Sequence, residues 1–292
     1  MTPRVLIDAA RPGTLVAAVV PVLVGSAVAG SRGAFRPDVL VAALAASLLI
    51  QIGTNYANDV SDHLHGADAP DRLGPPRATA LGLATPRAMI IAAALAFALA
   101  AAFGLYLVTV GGMPVLVVGI ASIAAGVAYT GGPWPLAYNG LGDVVCFALF
   151  GIVPVLAMDY LHAGSVSAAA WWAAVPVACI VTAILVVNNL RDLEQDRVAG
   201  KRTLAVLLGR LGTRVWYSVL LAVAYLTPLV GWALEALPAA VLLVALTAPL
   251  AHKLGDTVSH RTGRELNSAL ADTSRLHLLF GMLLATGLLL RV

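Results

Sequence analysis

The sequence predicts an all-α integral membrane protein, a bundle of nine transmembrane helices with its N-terminus in the cytoplasm. Three observations carry that prediction. Of the 292 residues, 60% are hydrophobic and only 11% are charged, whereas an ordinary soluble domain carries roughly 25% charged residues. Several apolar stretches approach the roughly 18 to 20 residues that cross a bilayer core. They are continuously apolar, without the period-two alternation of a transmembrane barrel, so their backbone groups must be satisfied inside helices. Disorder is excluded by the same composition, since it requires low hydrophobicity.

Apolar windows between polar breaks place the nine spans near 14–30, 38–58, 88–110, 114–130, 141–159, 168–190, 215–233, 236–251 and 276–291. Arg4 and Arg11 precede the first, and Ala27-Val28-Ala29 resembles a cleavage site. The run from Thr14 to Gly30 is long for a signal segment, so a retained first helix is expected. The eighth span is the weakest, being short and carrying Pro238 and Pro249. Cys146 and Cys179 lie far apart in apolar stretches, a spacing that builds neither a metal site nor a disulfide framework; packing roles are expected.

Charge sets the orientation. Of the 18 Lys and Arg residues, all but Arg32, Arg36 and Arg291 fall on the side of the N-terminus, a strong positive-inside bias. The net charge of +3 does not indicate a nucleic-acid partner, because the basic residues are not clustered beside aromatics on one face. Three connections on the cytoplasmic side are long and polar, 59–87, 191–214 and 252–275, and the first two open with acidic clusters.

In the first cluster, Asn55 and Asp59, and Asn58 and Asp62, are four residues apart; in the second, Asn188, Asp192 and Asp196 repeat at the same interval. Such spacing stacks side chains on one helical face. Like charges so placed repel, and more strongly near a low-dielectric boundary, so a compensating cation is expected. Carboxylate and amide oxygens suit Mg²⁺ or Mn²⁺. Mg²⁺ usually binds through one or two carboxylates plus substrate phosphate. Two ions bridged by a diphosphate are therefore expected, one held by Asn58, Asp59 and Asp62, the other by Asn188, Asp192 and Asp196. Arg72 and Arg77 follow the first cluster and Lys201 and Arg202 the second, placed to contact free phosphate oxygens or to serve only as positive-inside charges.

Other polar residues carry weaker signals. Gln51 and Asn55, one turn apart, extend the polar lining or make helix-packing hydrogen bonds. Tyr129 and Tyr138, with Trp134 between them, lie on the charge-free connection between the fourth and fifth spans, and such residues gather at membrane interfaces. Asp143 either caps a helix or touches substrate. His63 and His65, without further N or S ligands, are expected to be loop residues rather than a zinc site.

The segments Asn58-Asp59-x-x-Asp62 and Asp192-x-x-x-Asp196 resemble the two aspartate-rich motifs of the UbiA superfamily of intramembrane aromatic prenyltransferases. The stretches Arg11-Pro-Gly-Thr, Thr54-Asn-Tyr-Ala-Asn-Asp, Asp71-Arg-Leu-Gly-Pro, Ala128-Tyr-Thr-Gly-Gly-Pro, Gly140-Leu-Gly-Asp, Asn188-Asn-Leu-Arg-Asp and Gly200-Lys-Arg-Thr-Leu-Ala are similar to the branch that acts on 1,4-dihydroxy-2-naphthoate in menaquinone synthesis. The resemblance runs from about residue 8 to the last helix. Four residues after Asp62 the broader motif's third acidic position is Gly66, and Asp68 follows two residues later, as in that branch.

The resemblance implies one transmembrane prenyltransferase domain over 1–292, in the cell membrane with its site on the cytoplasmic side. It implies Mg²⁺-dependent transfer from a polyprenyl diphosphate to 1,4-dihydroxy-2-naphthoate. Loss of CO₂ and diphosphate then gives demethylmenaquinone. On that reading Asp62 and Asp192 are essential for turnover, Tyr129 and Tyr138 are candidates to stabilise the allylic cation through their ring faces, and Gln51, Asn55, Asp68, Tyr138 and Asp143 are candidates to line the substrate pocket. Another acceptor of the superfamily, 4-hydroxybenzoate, homogentisate or haem, would leave the acidic clusters unchanged. A transporter is disfavoured because the polar clusters sit at one face of the membrane rather than at its midplane.

Overall fold

The computed structural model describes residues 2–64, 73–74 and 77–290. Among them every regular element is helical. A short α1 (Pro3–Ala9) leads into α2 (Val16–Ser31), followed by α3 (Pro37–Leu64), α4 (Pro86–Gly111) and α5 (Met113–Ala128). Next come α6 (Gly142–Phe147) and α7 (Val153–Ala163), joined by a π-helical turn over Ala148–Ile152, then α8 (Ala168–Arg191) and the short α9 (Leu193–Val198). The chain closes with α10 (Leu204–Ala233), a 3₁₀ stretch over Ala239–Thr247 that runs into α11 (Ala248–His260), and α12 (Leu266–Leu290).

Local chemistry sets these ends. The Thr85, Ser167 and Thr203 hydroxyls accept from the backbone N–H groups of Ala88, Ala170 and Val206 at 3.2, 3.2 and 3.3 Å, capping α4, α8 and α10. Gly209 interrupts α10 with φ 68° and ψ 176°, a conformation that glycine adopts without a Cβ clash. Pro238 and Pro249 begin the 3₁₀ stretch and α11 rather than breaking a span, because a helix start has no N–H to lose.

Each predicted span coincides with helix, but their lengths differ from expectation. Among the described residues, seven segments are long and apolar enough to cross a membrane, or eight if Pro3–Thr14 and α2, bent by 53°, form one span. The apolar α5 has 16 residues, about 24 Å at 1.5 Å per residue, short of a hydrocarbon core of roughly 30 Å. The expected loops are also more helical than predicted: α3 continues to Leu64, α9 and the start of α10 occupy 193–214, and α11 and α12 reach into 252–275. Apolar windows mark where a helix meets lipid, whereas its hydrogen-bond ladder continues into the polar region. His63 therefore lies on α3, exposed; His65 lies outside the described residues.

The solid core is built on α8. Its Ala173, Val177, Ile180, Ala183 and Val187 pack with Val24 and Val28 of α2, Leu220 and Ala224 of α10, and Phe280 and Leu284 of α12. Small residues permit the close approach: a Cβ at Gly151 would stand 2.2 Å from the Cβ of Ala178, so only glycine fits there. Cys179 belongs to this core, while Cys146 is half-buried at a cavity wall. On the face opposite the acidic clusters, Arg32 donates to the buried Asp159 at 2.8 Å, and Asp159 also accepts from the N–H and hydroxyl of Ser167, both at 2.7 Å. The α2–α3 and α7–α8 connections are thus tied together.

Candidate active site

A cavity of about 510 Å³ lies beside this core, walled by α2, α3, α4, α5, α6–α7 and α8. One end is polar, with Asn58, Asp62, Arg77, Asn188, Asp192, Asp196 and Lys201; the rest is lined by groups such as Val22, Ala46, Val108, Leu116, Phe150 and Met158. Leu105 of α4 and Ile120 of α5 line it while being 62% and 61% exposed on the outer surface. The cavity therefore reaches the lipid-facing side between those helices.

The polar end follows from helix periodicity. Because α3 runs through Leu64, Asn58 and Asp62 share one face and both line the cavity. Asp59 lies about 100° away round the helix and turns to the α3–α4 connection. Its carboxylate accepts from the backbone N–H groups of Ala78 and Thr79, each at 3.0 Å, and from the Thr79 hydroxyl. It does not line the cavity, contrary to its expected place among the metal-facing groups.

On the other rim, Asp192 N–H donates to Asn188 O at 3.2 Å and Asp196 N–H to Asp192 O at 2.8 Å. The helical register survives the break between α8 and α9, and all three side chains face the cavity.

Cations join the rims. The buried Arg77 pairs with Asp62 through Nη2 and donates through Nη1 to Asn58 O. Lys201 Nζ lies 3.3 Å from Asp62 Oδ1 and 3.8 Å from Asp196 Oδ1, and 4.6 Å from the ring centroid of Tyr138. The Tyr138 hydroxyl donates to Asp62 Oδ1. Burial and the neighbouring Asp62 carboxylate push the Tyr138 phenol above its ordinary pKa, so it keeps the proton it donates.

The remaining expected residues divide. Tyr129, Gln51 and Asn55 line the cavity. Asn55 also donates to Ala10 O at 2.8 Å and Thr14 Oγ1 at 3.4 Å, fixing the α1–α2 junction. Gln51 Oε1 and Thr54 Oγ1 are buried without a hydrogen-bond partner among the described residues. Asp143 is off the cavity, accepting from Trp216 Nε1 at 3.0 Å, because its position on α6 faces α10. Trp134 is 57% exposed and also off the cavity. The Arg202 side chain points outward, while its N–H donates to Tyr138 O at 2.9 Å; it follows Lys201 directly and cannot share its direction. Asp68 and Arg72 lie outside the described residues.

Several residues lining the cavity or bonded to its lining escaped the sequence reading. Arg11, at φ 53° and ψ 68°, lines the cavity at the bend before α2. Thr130 donates to Asn58 Oδ1 at 2.6 Å. Arg191 donates twice to Asp192, from Nε at 2.7 Å and Nη2 at 2.6 Å, and its Nη2 reaches Asn188 Oδ1 at 2.9 Å. Arg11, Thr130 and Arg191 do lie within motif stretches quoted above, the only signal that pointed to them.

The donor set is chemically suited to Mg²⁺: carboxylate and amide oxygens facing one cavity, the kind of hard ligand that ion prefers. Among the described residues, no three His, Cys, Asp or Glu side chains converge closely enough to hold a metal by themselves. The oxygens are shared between two rims, so a bound ion would need further oxygens from its substrate.

Solved structures share the fold. A UbiA homologue from Aeropyrum pernix superposes with a TM-score of 0.71 at 17% identity, covering 94% of this chain and 97% of that one. A UbiA homologue from Archaeoglobus fulgidus, bound to DMAPP and Mg²⁺, superposes with a TM-score of 0.64 at 17% identity over 96% and 99% of the two chains. In sequence, the chain is 38% identical to a 1,4-dihydroxy-2-naphthoate octaprenyltransferase of Mycobacterium tuberculosis, covering 97% of this chain and 96% of the relative. An enzyme of the same name from Haemophilus influenzae is 34% identical over 97% and 95%. Residues 18–288 match the UbiA prenyltransferase family, and the chain belongs to that family of membrane-embedded prenyltransferases.

Proposed function

We propose that the protein transfers a polyprenyl group from its diphosphate to 1,4-dihydroxy-2-naphthoate. CO₂ and diphosphate leave, and demethylmenaquinone results in its reduced form. The observation that carries this reading is that Asp62 and Asp196, on separate helical rims, both lie within 4 Å of Lys201 Nζ at the polar end of one otherwise apolar cavity. A diphosphate suits that end and a prenyl tail suits the apolar length and its side opening. The naphthoate acceptor is supported by the relatives' substrate.

Bound Mg²⁺, two ions or Mn²⁺ in its place, would be held by Asn58 and Asp62 on one rim and Asn188, Asp192 and Asp196 on the other. It would supply Lewis-acid neutralisation of the leaving diphosphate. The chain's own groups do the rest. Lys201 and Arg77 move from Asp62 towards phosphate oxygens as charge develops there. Tyr129 presents its ring to the allylic carbon as that carbon becomes cationic. The apolar walls exclude water that would otherwise capture the cation. Gln51 and Thr54 line the cavity, and a side-chain rotation would bring their buried oxygens to the acceptor's hydroxyl groups, since a buried polar atom is costly unless something pairs with it.

The membrane placement proposed is nine crossings, α5 included, in the cell membrane, with the N-terminus and the acidic rims on the cytoplasmic side. The distribution of Lys and Arg supports it.

The test is to incubate purified protein with a labelled polyprenyl diphosphate and either dihydroxynaphthoate or hydroxybenzoate, with and without EDTA. Prenylated naphthol formed only with Mg²⁺, together with release of CO₂, is the expected result. Product from hydroxybenzoate alone would reject the acceptor, and EDTA-resistant turnover would reject the metal.

A further inference from the structure

We infer that Asn267, near the start of the last helix and outside the cavity lining, is a positioning residue for the second acidic rim. Its side-chain oxygen accepts from Arg191 Nη1 at 3.0 Å, and its Nδ2 donates to Leu73 O at 3.0 Å across 194 residues of sequence. The remaining nitrogens of Arg191 are directed at Asp192 and Asn188, which are the cavity oxygens of that rim. Arg191 is only 3% exposed, and the α3–α4 connection presses on it: a Cβ at Gly74 would stand 2.7 Å from Nη2.

A guanidinium is a planar fork whose nitrogens have fixed relative directions. Fixing Nη1 therefore fixes where Nε and Nη2 point. Asn267 supplies that fixed point from α12, a helix that otherwise packs in the solid core. Its second hydrogen bond, to Leu73 O, ties α12 to the α3–α4 connection. Asn267 thus sets, through Arg191, the orientation of Asn188 and Asp192 on the second rim.

This inference rests on the reading that the cavity binds a prenyl diphosphate with Mg²⁺, and binding rather than turnover tests it. Geranyl diphosphate serves as the probe, titrated calorimetrically into full-length protein in nanodiscs over a series of Mg²⁺ concentrations. Asn267→Leu, which removes both hydrogen bonds, is expected to weaken probe binding about tenfold or more and to raise the Mg²⁺ requirement. Asn267→Asp keeps an oxygen towards Arg191 and is expected to recover binding to within about threefold of the parent.

Parent-like binding and Mg²⁺ dependence in Asn267→Leu would overturn the assignment, as would equal loss in both variants. If Asn267→Leu does not fold, Asn267→Asp decides alone: a loss of about tenfold or more there overturns the role through Arg191. A parent protein that binds no geranyl diphosphate in Mg²⁺ would instead remove the underlying reading.

Discussion

The ammonium of Lys201 stands 3.3 Å from Asp62 Oδ1, although 139 residues separate the two in the chain. The pair ties the connection after α9 to the end of α3, and both groups are largely withdrawn from solvent. Removing the ammonium while keeping the stem, as in Lys201→Met, should raise KM for the prenyl diphosphate about tenfold or more, since hydrogen bonds to charged groups are among the stronger ones. The KM for the acceptor should stay within about twofold, because its proposed contacts lie elsewhere. Steady-state kinetics with each substrate varied separately would check both.

Asp62 meets Arg77, Lys201 and Tyr138 together. Asp62→Asn keeps the shape and removes the charge, leaving two cations facing a neutral amide. Turnover should fall about a hundredfold or more, the scale of losing one preorganised electrostatic contact. Helicity by circular dichroism should be retained, because the core packs around α8 and not around this rim.

The neighbouring Asp59 should behave in the opposite way. Its carboxylate holds the N–H groups of Ala78 and Thr79, so Asp59→Ala leaves buried donors unpaired at a cost of roughly 1–3 kcal/mol. Thermal unfolding should show lower stability, while the Mg²⁺ concentration for half-maximal turnover of the folded protein stays at the parent value. A marked rise in that concentration would return Asp59 to the metal.

Metal binding should depend on diphosphate. With oxygens divided between two rims and no three acidic or histidine side chains converging among the described residues, Mg²⁺ alone finds an incomplete set of ligands. Calorimetry should detect no saturable Mg²⁺ site below about millimolar concentration, a typical limit for weak oxygen-ligand sites. Inorganic diphosphate should create one. Tight binding without diphosphate would contradict the shared-ligand arrangement.

The periodic part of this site was legible in the sequence. Asn188, Asp192 and Asp196 repeat at one helical turn and do share a face; Asn58 and Asp62 do likewise. Spacing alone does not separate Asp59 from its neighbours, because it says which residues stack together, not which stripe faces the cavity. That choice is made by the connection packed against α3, as Thr79 and Ala78 show. Lys201 and Arg202 look equivalent in a basic pair, yet adjacent residues point apart and only one reaches inward. Thr130 meets Asn58 across 72 residues and Asn267 meets Arg191 across 76; no local pattern encodes such meetings. The helical extensions beyond each apolar window were invisible for a related reason. Hydropathy senses the solvent around a helix and not the ladder that holds it.

The side opening at Leu105 and Ile120 has a consequence for what the enzyme can measure. A chamber closed at its far end would act as a ruler and reject precursors with too many isoprene units. Here surplus units would trail out among the acyl chains of the bilayer, where they lie at little energetic disadvantage. The length of the transferred chain would then be dictated by the enzyme that makes the precursor.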